Sequence, residues 1–79
     1  MSDIIKTLSA DVDELEKSYE ALDMDNKADV KSFESVVLEL LAKLKRNQDK
    51  EGNEDLEDDF EDLIYRVIII LGQLDLLEI

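Results

Sequence analysis

Residues 54–77 read EDLEDDFEDLIYRVIIILGQLDLL. The segment opens almost entirely in carboxylates and continues almost entirely in hydrocarbon. Whether it is an acidic loop feeding a strand or a single helix decides the fold. Val67, Ile68, Ile69 and Ile70 are β-branched and favour strands. The spacing argues the other way. Leu56, Phe60, Leu63, Val67, Ile70, Leu74 and Leu77 follow one another at steps of three and four in strict alternation. That is the seam of a packed helix, and it passes through the acidic half without a slip. A lone strand would also have no partner in the chain. The segment therefore reads as one helix.

The same alternation organises the rest of the chain. Ile5, Leu8, Val12, Leu15, Tyr19 and Leu22 form one seam, and Val30, Phe33, Val37, Leu40 and Leu44 another. Proline is absent and the glycines are Gly52 and Gly72. So few breakers predict long uninterrupted elements. The punctuation falls between the seams. Ser2 suits the start of a first helix, Asp25 or Asn26 a second, and Asn53 a third. The expected helices lie near 3–23, 26–47 and 54–77. Each is about 30 Å long at 1.5 Å per residue. Equal lengths and short connections predict an all-α, antiparallel three-helix bundle in one domain, residues 1–79.

Composition narrows the chemistry. With 79 residues, the chain is at the size where a single core needs help from crosslinks, metals or oligomerisation. It has no cysteine and no histidine. Disulfides, thiolate or imidazole metal sites and His- or Cys-based nucleophilic machinery are excluded. Regular helix packing and self-association remain. Residues 1–15, MSDIIKTLSADVDEL, carry no apolar core of the secretory kind. The apolar run Val67–Leu71 is too short to span a bilayer. A soluble, cytoplasmic chain is the expectation.

Charge selects among partners. Twenty-two acids and nine bases leave a net charge of −13. A surface this negative repels nucleic acid and anionic membranes, whose binders need basic patches to displace counterions. It attracts basic partners and speeds the encounter with them. The densest acidic surface is Glu54, Asp55, Glu57, Asp58, Glu61 and Asp62. Lys43, Lys45, Arg46 and Lys50 near the end of the second helix suit the negative end of its dipole and are expected to face these acids.

The third helix carries more hydrocarbon than one seam needs. With Phe60 at heptad position a, Ile64 and Leu71 fall at e, Ile68 at b, and Ile69 and Leu76 at c. A helix apolar on most of its circumference is buried on more than one side. In the second helix Leu38 and Leu41 show a milder excess, as does Val36. The expected interface is Ile64, Val67, Ile68 and Leu71 with Leu38 and Leu41, closing a symmetric homodimer.

Two acidic patterns could hold a cation. DMDNKADVKSFE, residues 23–34, sets Asp23, Asp25 and Glu34 at positions 1, 3 and 12 of a calcium loop. Lys27 and Ala28 stand where a ligand and a glycine are required. EDLEDDFEDLIY, residues 54–65, resembles the acidic helix of the all-α nucleotide pyrophosphohydrolases. That resemblance implies a magnesium site built from Glu-x-x-Glu on one helix and Glu-x-x-Asp on the next. Here Glu54/Glu57 and Asp59/Asp62 have the spacing but share one helix. No catalytic residue, metal ligand or cofactor is therefore assigned. The expected function is a small acidic protein–protein interaction module of regulatory or adaptor type, an inhibitor or DNA-mimic-like binder of a basic partner. The alternative is a structural or chaperone-like assembly subunit using the apolar face of the third helix, and a lesser one, implied by the resemblance, is a magnesium-dependent enzyme like the all-α nucleotide pyrophosphohydrolases.

Overall fold

The computed structural model describes residues 3–77, and the side chains up to Leu76. Three helices follow one another: α1 (Asp3–Ala21), α2 (Lys27–Gln48) and α3 (Glu57–Leu77), with one 3₁₀ turn at Glu54–Leu56 leading into α3. They form an elongated bundle of 42 × 20 × 15 Å. The β-branched run 67–70 is α-helical throughout. A seam that matches two neighbouring helices overrides local strand preference.

The core is built from the seams. Leu8, Val12 and Leu15 of α1 meet Val30, Phe33, Val37, Leu40 and Leu44 of α2. Phe60, Leu63, Val67, Ile70 and Leu74 complete it from α3. Ile5, Tyr19, Leu22 and Leu56 are half-buried against its ends. Tyr19 stacks on Phe33 with ring centroids 5.9 Å apart, joining the end of α1 to the start of α2. The expected Ser2 cap and the side chain of Leu77 lie outside the described residues.

The helix ends follow local hydrogen bonding. α1 stops at Ala21, two residues before the expected end. Leu22 N–H reaches the Tyr19 carbonyl (3.2 Å), and Asp23 Oδ1 accepts from Asp25 N–H (3.0 Å). An aspartate turn of this kind competes with further helix. Asn26 caps α2 by accepting from Asp29 N–H at 3.2 Å. Asn53 precedes the 3₁₀ turn but makes no side-chain cap there. Its amide instead donates to the Asn47 carbonyl (2.8 Å), serving the end of α2. Between them Gly52 holds φ +96°, a left-handed conformation that glycine enters without strain.

The helices do not share their packing equally. α2 and α3 are the most closely associated pair, and α1 leans on α3 more than on α2. That asymmetry leaves an open furrow between α1 and α2.

Candidate protein-interaction surface

The residues expected at an interface separate into three sets. Ile64 (9% exposed) and Val67 belong to the bundle's own core. α2 lies close against that flank of α3, so position e is used within the chain. Leu41 and Leu71 are half-buried against the core. Ile68 (45% exposed) and Leu38 stand out in solvent. Leu38 lies ten residues before the end of α2 and Ile68 eleven after the start of α3. The antiparallel hairpin therefore sets them at the same level.

A second stripe runs along the opposite side of α3 from the core seam. Tyr65 (63% exposed), Ile69, Gly72 and Leu76 (70% exposed) step by four, three and four. This is a heptad seam that the described residues leave uncovered, and Ile68 borders it. Sequence reasoning placed Ile69 and Leu76 outside the seam but did not join them to Tyr65 and Gly72. The signal is the same alternation, read once more on the far side. A Cβ at Gly72 would meet nothing within 4 Å. The bundle thus gives no internal reason for a residue that weakens a helix by about 1 kcal/mol relative to alanine.

The acidic set, Glu54, Asp55, Glu57, Asp58, Glu61 and Asp62, is exposed along the 3₁₀ turn and the first two turns of α3. Carboxylates there suit the positive end of the helix dipole. Lys45, Arg46 and Lys50 are also exposed, and none of them forms an ion pair with these acids among the described residues. Long solvated side chains gain too little from such a pair to be held in one geometry.

The ion pairs that do form tie α1 to its neighbours. Lys43 of α2 meets Asp11 at 3.4 Å. Arg66, the one base of α3, forks onto both carboxylate oxygens of Glu16, with Nε–Oε2 at 3.3 Å, and reaches Asp13 Oδ1 at 2.8 Å. Its hydrogen bonds to Glu16 and then Asp13 raise the guanidinium pKa further above its already high range. α1 carries six acids and two bases, and α3 six acids and one base. Arg66 thus offsets repulsion where two negative helices meet. Arg66→Met should cost about 1 kcal/mol once the exposure of Asp13 and Glu16 is allowed for. A calorimetric Tm lower by roughly 4–8 °C at 20 mM salt is the expected result. The loss should shrink at 500 mM, where the repulsion is screened.

Most residues of the two cation patterns are helical. Residues 27–34 are already α-helical and cannot wrap an ion as a loop does. Among the described residues no three carboxylates are grouped so as to hold a metal ion. Among them, too, no helix is long and apolar enough to cross a membrane.

The chain matches no protein-family model, no curated protein and no solved structure.

Proposed function

We propose that the chain is a small acidic protein-interaction module of regulatory or adaptor type, paired with a second copy through α3 and presenting its carboxylates to a basic protein. The observation that carries this reading is the uncovered stripe Tyr65, Ile69, Gly72 and Leu76. A core of this size closes without it, and contiguous exposed hydrocarbon marks an interface. Gly72 supports a helix as occupant, because its missing side chain lets a second backbone come close.

Charge favours one arrangement. An antiparallel pairing about the middle of the stripe puts the two Phe60 levels about 30 Å apart. The acidic first turns of α3 then lie at opposite ends, several screening lengths from one another. A parallel pairing would align twelve carboxylates, six from each copy's α3. The net charge of −13 supports a basic partner for the remaining surface.

The second reading keeps the same face and drops the partner: a structural assembly subunit whose charge maintains solubility. Salt separates the two. Light scattering should give twice the chain mass of 9.1 kDa at both 50 and 500 mM salt, because the stripe is apolar. Binding to a basic protein from the host should weaken steeply over the same range. A monomer at both salt concentrations would remove the pairing. Partner binding indifferent to salt would remove the role given to the carboxylates.

A further inference from the structure

The furrow between α1 and α2 lies on the side of the bundle away from α3, and its walls come from those two helices alone. It encloses about 400 Å³ and is open along its length. Leu15, Phe33, Val36 and Leu40 make its floor. Three of these are core residues seen from outside, while Val36 stands half in solvent with no structural task in the bundle. Asp11, Glu14, Glu39 and Lys43 form the rim. Lys43 is engaged by Asp11 at 3.4 Å. Glu14 and Glu39 make no ion pair among the described residues.

We infer that this furrow seats two to three turns of a basic amphipathic helix from another protein. The inference deepens the reading of the chain as an interaction module and rests on it. Two adjacent helices form a trough shaped for the ridge of a third. The walls run from Asp11 to Ser18 on α1 and from Phe33 to Lys43 on α2. That is about 10–15 Å at 1.5 Å per residue, the span of side chains at i, i+3, i+4 and i+7. The floor accepts the apolar face of such a helix and the acidic rim its flanking lysines or arginines.

Charge excludes a second copy as the occupant. α1 and α3 are strongly acidic and would meet an acidic rim. α2, with five bases and three acids, is the one basic helix and is already built into the bundle. The α3 stripe and the furrow are on different faces, so the two contacts do not compete.

The test uses an 18-residue leucine–lysine peptide with leucines at i, i+3, i+4 and i+7, and a scrambled peptide of the same composition without the stripe. Amide shifts of the full chain and calorimetry are read at 50 mM salt. The patterned peptide should saturate, shift residues 11–18 and 33–43, and bind at least tenfold more tightly than the scrambled one. Val36→Lys should weaken it at least tenfold. One charge in thirteen would scarcely change general attraction to the surface, so an effect of that size reports the furrow itself. Glu39→Gln should weaken binding about threefold and flatten its salt dependence. Equal binding of the two peptides overturns the inference, as does no saturable binding. Shifts confined to 65–76 also overturn it, and leave the interaction-module reading standing. Light scattering of the same samples reports the α3 pairing separately.

Discussion

Ile64→Glu should leave no folded chain at 25 °C. Ile64 is 9% exposed and packed in the core where α2 closes on α3. Removing its hydrocarbon forfeits about 1.5–3 kcal/mol of burial. The glutamate adds several more, because a buried unpaired carboxylate is costly. A domain of this length has a total stability of roughly 4–12 kcal/mol at 0.05–0.15 per residue. Loss of helical circular dichroism with no cooperative melt is the expected observation. A melt within a few degrees of the parent would show that α2 does not close over this position.

Ile64 also marks where sequence reasoning stops. The seams are legible because a residue every three or four positions must face one axis whatever the neighbours do. Among the described residues fourteen buried hydrophobic side chains make the core, and all but Ile64 belong to the three seams legible from spacing alone. Position e is different. Ile64 is buried, Leu71 at the same heptad position half-buried, and Ile68 at b exposed. Their fates depend on how closely α2 approaches that flank, which pattern alone does not encode. The furrow was invisible for the same reason, since it arises from the looser association of α1 with α2. Asn53 shows the local version. Its residue type suits a helix start, yet the Asn47 carbonyl at the end of α2 was the nearer unsatisfied group. Charge alone pairs the lysines and carboxylates on facing helix ends, whereas the pairs that form among the described residues lie mostly along the middle of the helices.

Ile68→Glu, one turn beyond Ile64, should fold normally and lose the proposed self-association. At 45% exposure the glutamate keeps its water, so the monomer's stability should change by less than about 1 kcal/mol. In the pair, the same carboxylate would lie at the border of an apolar seam opposite its own symmetry mate's helix. Leaving it desolvated there costs several kcal/mol per copy, twice over for a two-fold contact. Light scattering should then return the 9.1 kDa chain mass at concentrations where the proposed pairing gives the parent twice that. Loss of the fold together with the mass change would fit core damage instead, and Gly72→Leu guards against that confusion. A Cβ at Gly72 meets nothing within 4 Å, and leucine replaces a poor helix former with a good one. It should therefore raise the melting temperature of the isolated bundle while obstructing the approach of a second α3. Stability rising as association falls is a combination that a purely structural role for this face could not produce. A Gly72→Leu chain that pairs as tightly as the parent would mean the glycine marks no close approach, and the partner of the stripe would have to be sought outside a second copy.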